Sequence, residues 1–205
     1  MRYTLMTMLA VALLAASPAG KAGATECTDQ AGNLLASHNC NATSDASEWS
    51  TTTSLSHEAG DGDPTPGSVR VDSTTPTWAT IFTGCAAVAG STDYNWGARL
   101  KLASGTPDSL VCNCNAQWYT TTDCTSSLAG FKVGVPETLT DTPGQWVTIQ
   151  GGPWTSPAST QSGWVNCSCA PSGTGGIDYT VLYDNAMMGE GLDVVPVELT
   201  NFSVD

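Results

Sequence analysis

Apolar and polar residues along this chain alternate mostly with a period of two. Alternating or β-branched runs cover residues 68–72, 79–88, 94–102, 109–119, 146–151, 163–169 and 179–187. That period places successive side chains on opposite faces of an extended strand. Two further segments, 33–35 and 49–53, read as edge strands. The connections, such as 59–67 and 171–176, concentrate Gly, Pro, Asp and Ser, residues that supply turn geometry. No apolar stripe of period 3.6 is long enough for a helix, and no internal repeat is visible. The pattern predicts an all-β fold of about eight or nine strands, the range of a β-sandwich or jelly roll.

The two ends break the pattern. Arg2 precedes an apolar run over 5–16 interrupted only by Thr7, then the small residues Ala22-Gly23-Ala24. A charged start, a short apolar stretch and a small-residue site make residues 1–24 a secretory signal peptide. The run is about a dozen residues, short of the ~20 needed to span a bilayer, so no membrane insertion is expected once it is removed. The division expected is therefore signal peptide 1–24, a single folded domain 25–190 and an extended tail 191–205. Beyond residue 24, four basic residues (Arg70, Arg99, Lys101, Lys132) stand against nineteen acidic ones, a formal charge of −15. Polyanions are bound by clustered Lys and Arg, so nucleic acid and anionic membranes are excluded as partners. Neutral glycans and divalent cations remain.

All eight cysteines (Cys27, Cys40, Cys85, Cys112, Cys114, Cys124, Cys167, Cys169) follow residue 24. An even number in an exported chain points to as many as four disulfides, with the connectivity open. The Cys112-Asn113-Cys114 and Cys167-Ser168-Cys169 pairs also invite a zinc reading, but thiolate sites space their ligands by two or more residues. If both pairs lie on strands, each pair shares one face, so every one of these cysteines needs a partner outside its own pair.

Several segments, in order, carry a resemblance. Asn33-Leu34-Leu35 looks like an opening strand and Glu48-Trp49 like the Gly-Trp of a second. Pro66-Gly67-Ser68-Val69-Arg70-Val71 resembles a Gly-Ser-Leu-Arg-Val strand. Residues 84–90 (Gly-Cys-Ala-Ala-Val-Ala-Gly) followed by Tyr94-Asn95-Trp96-Gly97-Ala98-Arg99 resemble a paired motif of Cys-Val-Pro-Val-x-Ala-Gly and Tyr-x-Leu-Ser-Ala-Arg. Residues 118–124 end in an Asp-Cys loop, and Gly144-Gln145-Trp146 and Tyr183-Asp184-Asn185-Ala186 match Gly-x-Trp and Phe-Asp-Asp-Val. Together, over residues 33–188, they resemble carbohydrate-binding-module jelly rolls of the galactose-binding-like superfamily, of the CenC type. The resemblance implies a jelly-roll β-sandwich. Function has to be argued from the site, because this scaffold hosts many roles.

Sugar-binding surfaces stack flat aromatic rings on a pyranose and hydrogen-bond its hydroxyls with amides and carboxylates. Of the seven tryptophans, Trp49, Trp96 and Trp146 fall where the resembling modules have strand interiors and are assigned to the core. Trp78, after a Ser-Thr-Thr-Pro-Thr turn, and Trp154 and Trp164, bordering the loop 155–163, form the candidate platform with Trp118 and Tyr119. Asn113, Asn115 and Gln117 alternate along one strand and can present three amides from one sheet face, with Cys112 and Cys114 on the other. The resemblance also implies a structural calcium joining the opening segment to an Asp of the last strand. Asp184 matches that Asp, while the expected Phe-Glu of the opening segment reads Cys40-Asn41, so Asp184 and Asn41 are the candidate ligands. Asp61-Gly62-Asp63 is a second acidic spot that reads as a solvated turn. Asn41, Asn166 and Asn201 begin Asn-x-Ser/Thr sequences, Asn166 within a strand.

The chain has two histidines (His38, His57) and lacks a Gly-x-Ser-x-Gly elbow, a His-Glu-x-x-His motif and a phosphate-binding loop. The expectation is a secreted or cell-envelope, non-catalytic module that binds a polysaccharide or glycan. Two alternatives stand beside it. One is a structural or adhesive surface protein without a sugar site, because the tail Val195-Pro-Val-Glu-Leu-Thr-Asn-Phe-Ser-Val-Asp205 looks like segments that precede envelope-sorting signals. The other is a small glycosidase or lyase using two carboxylates.

Overall fold

The computed structural model describes residues 27–36, 40–63, 65–140 and 145–192. The signal peptide expected at 1–24, the tail from 193 onward, His38 and Asn201 lie outside them. Apart from a three-residue 3-10 turn at Cys27–Asp29, all regular structure among the described residues is β. Among the described residues no helix is long and apolar enough to cross a membrane.

The strands are β1 (Ser50–Thr51), β2 (Ser54–Glu58), β3 (Ser68–Ser73), β4 (Ala79–Phe82), β5 (Ala86–Ala87) and β6 (Asp93–Gly105). They continue with β7 (Ser109–Tyr119), β8 (Leu128–Val133), β9 (Glu137–Thr140), β10 (Val147–Thr155), β11 (Ser162–Ser172) and β12 (Tyr179–Gly189). One sheet has the order β1-β4-β11-β7-β8, with β5 beside β11 and β9 beside β7; the other has the order β10-β6-β12-β3-β2. Their inner faces enclose the core of a disulfide-stapled β-sandwich. Apart from the β2-β3 and β7-β8 pairs, neighbours in these two orders are not consecutive in the chain, so most spatial neighbours come from distant parts of the sequence.

Two expected segments differ from the structure. Residues 33–35 form a turn, and the run 79–88 divides into β4 and β5 at Thr83-Gly84-Cys85. Strands β2, β8 and β9 arise where no alternation was legible. All three sit at sheet edges, and β8 and β9 have mostly exposed side chains, so core contact imposes little pattern on them.

The core centres on tryptophan. Trp96 and Trp118 are fully buried and meet edge to face at 5.7 Å, a geometry that contributes about 1 kcal/mol beyond the burial itself. The Trp96 indole N–H donates to the Cys114 carbonyl at 2.9 Å, which ties the two sheets together. The strand β10 crosses Trp96 at Gly151, where a Cβ would lie 2.5 Å from the indole ring. Trp49 is also buried, whereas Trp146, expected in the core, is only partly covered and has the Lys101 ammonium 5.9 Å from its ring.

The two Cys-x-Cys pairs find their partners in each other. Cys112 and Cys114 on β7 lie directly opposite Cys169 and Cys167 on β11, facing inward, and form two adjacent disulfides across one strand pair. Cys27–Cys40 closes the first loop, and Cys85–Cys124 joins the segment before β5 to the loop after β7. No cysteine is free, which removes the thiolates that a zinc site would need.

Candidate functional site

Inward cysteines on β7 force the odd-numbered residues outward. Asn113, Asn115, Gln117 and Tyr119 therefore share the outer face of the first sheet, as the alternation of amides and cysteines predicts. Directly opposed residues on neighbouring strands lie on the same face, so the register assembles the rest. One row is Thr80, Ser168 and Asn113. The next is Phe82, Asn166, Asn115 and Val133, and the third is Trp164, Gln117 and Phe131. Four strands at a spacing of ~4.8 Å, with rows four residues apart at ~3.4 Å each, span roughly 14 Å in both directions. That is larger than a single pyranose ring.

Gln117 organises the centre. Its Oε1 accepts from the Trp164 indole N–H at 3.0 Å and from the Tyr119 hydroxyl at 2.7 Å. Since an indole nitrogen can only donate, these bonds orient the amide with its NH₂ group turned away from both rings. Trp164 packs at 5.4 Å on Phe82 and at 5.3 Å on Tyr119, giving a contiguous aromatic patch along one side of the amide row. On the other side Phe131 and Val133 are each about half exposed (45% and 50%). Asn115 donates to Asn113 Oδ1 and accepts from the Gly134 N–H, both at 3.3 Å. Asn166 is buried, and its Oδ1 has no hydrogen-bond partner. Burial pushes the Tyr119 phenol above its ordinary value of 10.0, so it remains a neutral donor.

Two members of the expected platform are elsewhere. Trp118 has the parity of Cys112 and Cys114 rather than that of the amides, and it is fully buried against Trp96 and, at 4.8 Å, Trp154. Trp154 also turns inward. Even-numbered while Ile149 and Gly151 are odd, it reaches their face through the bulge between Gly151 and Trp154, where Gly152 adopts φ +103°. It is half-buried, with Lys132 Nζ 5.5 Å from its ring. Trp164 and Tyr119 lie on the outer face. Trp78, 47% exposed, precedes β4 two residues before Thr80. Sequence reasoning passed over Phe82, Asn166, Ser168, Phe131 and Val133. Parity against the cysteines of β11 could have found Asn166 and Ser168.

Arg70, Arg99 and Lys101 lie on the other sheet. Arg99 pairs with Asp63 and Lys101 with Asp61, each at 2.5 Å, so the Asp-Gly-Asp run is held down by cations rather than solvated. Arg70 pairs with Asp72 at 3.0 Å and Glu58 at 3.7 Å. The Arg70 guanidinium, with a hydrogen bond from Thr180, holds the Asp72 carboxyl below its usual range. Among the described residues of the outer amide face, the strand register places no charged side chain.

Asp184 and Asn41, the residues expected to hold calcium, lie in the interior, Asp184 at the β12 bulge. One Asp184 oxygen accepts the Asp63 N–H and the other the Asn185 N–H, both at 2.8 Å. The next carboxylate along, Asp63, is engaged by Arg99. Among the described residues no three His, Cys, Asp or Glu side chains converge to hold a metal. Of the two expected ligands only Asp184 carries charge, and both of its oxygens already accept backbone N–H groups.

No protein-family model and no curated protein sequence matches the chain. Solved structures do match in fold. The CBM22-1–GH10 modules of Clostridium thermocellum endo-1,4-beta-D-xylanase 10B, complexed with xylohexaose, superpose with a TM-score of 0.58 at 9% identity, over 80% of this chain and 29% of that one. The tandem CBM22-1–CBM22-2 domain of Paenibacillus barcinonensis Xyn10C gives 0.53 at 17% identity, over 74% and 49%. The C-terminal family 22 carbohydrate-binding module of Clostridium thermocellum Xyn10B gives 0.51 at 14% identity, over 73% of this chain and 90% of that one. This chain thus spans under a third of the modular xylanase and nearly all of the single module. At these identities the likeness establishes the fold, that of carbohydrate-binding-module jelly rolls.

Proposed function

We propose that this protein is a secreted, non-catalytic module that binds a neutral polysaccharide on the outer face of the β1-β4-β11-β7-β8 sheet. The observation that carries the reading is the Trp164–Gln117–Tyr119 cluster. A half-buried indole, packed on two other rings and held by an amide, offers a flat apolar surface at low entropic cost, with the partly exposed Asn113 and the buried Asn115, Asn166 and Ser168 as the polar groups around it. The ring and amide chemistry suits a ligand with apolar faces and many hydroxyls. Lack of charge on the face, within a strongly acidic chain, favours a neutral glycan over an anionic one. Hydrolysis needs two carboxyls flanking one bond, and the face supplies none, so binding is the better reading. The family 22 modules in solved xylanases, one of them in complex with xylohexaose, make xylan-type oligosaccharides the first probes. Four disulfides suit an oxidising compartment and support secretion, to the medium or the cell envelope.

The test is affinity electrophoresis and calorimetry against insoluble and soluble neutral polysaccharides, with acidic polysaccharides alongside. The reading expects saturable binding to at least one neutral glycan, abolished or strongly weakened in Trp164→Ala. A folded protein that binds none of a broad neutral panel contradicts it.

A further inference from the structure

The strand β12 pairs with β3 only as far as Tyr183, and its register with β6 slips between Asp184 and Met187, where Asn185 has φ +50°. Beyond that bulge the β3-side backbone groups of β12 need other partners. The first loop supplies them. The Ala186 N–H donates to the Cys40 carbonyl at 2.7 Å, and the Leu34 N–H donates to the Met188 carbonyl at 2.8 Å. The Asn33 side chain fills the middle and uses all four of its hydrogen-bonding positions. Its Nδ2 donates to the carbonyls of Cys27 (3.0 Å) and Ala186 (3.3 Å), and its Oδ1 accepts from the N–H groups of Leu35 and Met188, both at 3.1 Å. The Cys27–Cys40 disulfide closes the ring of chain that carries this amide, and Asn33 and both cysteines are buried.

We propose that Asn33 and the Cys27–Cys40 disulfide together perform the joining role that the resembling modules imply for calcium, so that this protein folds without that ion. A calcium ion would join the opening segment to the last strand through shared oxygens. Here the same two segments are joined by an amide with saturated hydrogen bonding and by a covalent staple. The chelator-sensitive element is replaced by a thiol-sensitive one, and stability answers to redox conditions rather than to calcium concentration.

The experiment is thermal unfolding of the mature protein in calcium chloride and in EGTA, with calcium content measured by plasma mass spectrometry. The same melts are run on Asn33→Ala and on the double variant Cys27→Ser/Cys40→Ser. Calcium and EGTA are expected to give midpoints within about 1 °C, with far less than one calcium per chain, while each variant melts lower by about 5 °C or more. Stoichiometric calcium, or a midpoint that rises with calcium, overturns the proposal. So do variants that melt with the wild type. If the variants do not fold at all, the wild-type metal content and calcium response decide alone.

Discussion

Replacing Trp164 by Ala removes the ring at the centre of the proposed binding face. A fully buried Trp cut to Ala costs about 3–5 kcal/mol, and Trp164 is half-buried, so about 2 kcal/mol of stability should go, including its contacts with Phe82 and Tyr119. For a domain of this size that lowers the midpoint by about 4–8 °C and leaves the protein folded at 25 °C. Binding loses more in proportion. A pyranose lying on the exposed face covers roughly 80 Å² of apolar ring, which at ~25 cal/mol per Å² gives about 2 kcal/mol, or about 30-fold in Kd. Trp164→Phe keeps a ring but loses the hydrogen bond to Gln117, so it should lie between wild type and Ala. The assay is calorimetric titration with the glycan that wild type binds, on protein shown to be folded by circular dichroism. If folded Trp164→Ala binds within twofold of wild type, the stacking argument is wrong, wherever else the ligand sits.

Five further outcomes follow from the same geometry. Trp118→Ala should cost about 3–5 kcal/mol in urea unfolding, and any loss of binding should track the unfolded fraction, because this ring faces the core. Trp78→Ala should leave stability nearly unchanged, and a loss of affinity for long but not short oligosaccharides would extend the binding surface to the approach of β4. The adjacent disulfides close nearly the same loops, with sequence separations of 57 and 53, so the second adds little entropy once the first is formed. Removing either alone should cost about 2 kcal/mol and removing both about 6 kcal/mol, a non-additivity readable in guanidinium melts of the paired Cys→Ala variants. Affinity should be flat from about pH 5 to 9, since amides and neutral rings do not titrate there. Burial raises the folded Tyr119 phenol, so its contribution to stability is complete below the ordinary phenol value of 10.0 and is lost as pH rises through the folded one. Tyr119→Phe should remove only its share of the alkaline loss, because burial also raises the Tyr179 and Tyr183 phenols.

Much of the fold was legible because β-strands buried on one face write their geometry into the residues. The long strands β6, β7 and β11 fall on alternating runs, while β12, buried along its whole length, falls on a largely apolar one, and the outward amides of β7 were readable from the inward cysteines beside them. The misplacement of Trp118 came from neglecting that same parity, since residue 118 shares the face of 112 and 114. Trp154 was not recoverable in this way, because the Gly152-Pro153 bulge shifts its parity. Phe82 and Phe131 became visible only with the register, which brings β4 and β8 into line with β7 across long stretches of sequence. The role of Asn33 was hidden for the same reason, its hydrogen-bond partners Ala186 and Met188 lying more than 150 residues away.

The measurement closest to the central claim is an NMR titration of the mature protein with a neutral oligosaccharide that it binds. Shifts should saturate with a single Kd and concentrate on the side-chain amides of Asn113, Asn115 and Gln117 and on the Trp164 indole N–H, with the Arg70, Arg99 and Lys101 side of the sandwich unmoved. Saturating shifts centred on that charged sheet, or on neither sheet face, would contradict the account.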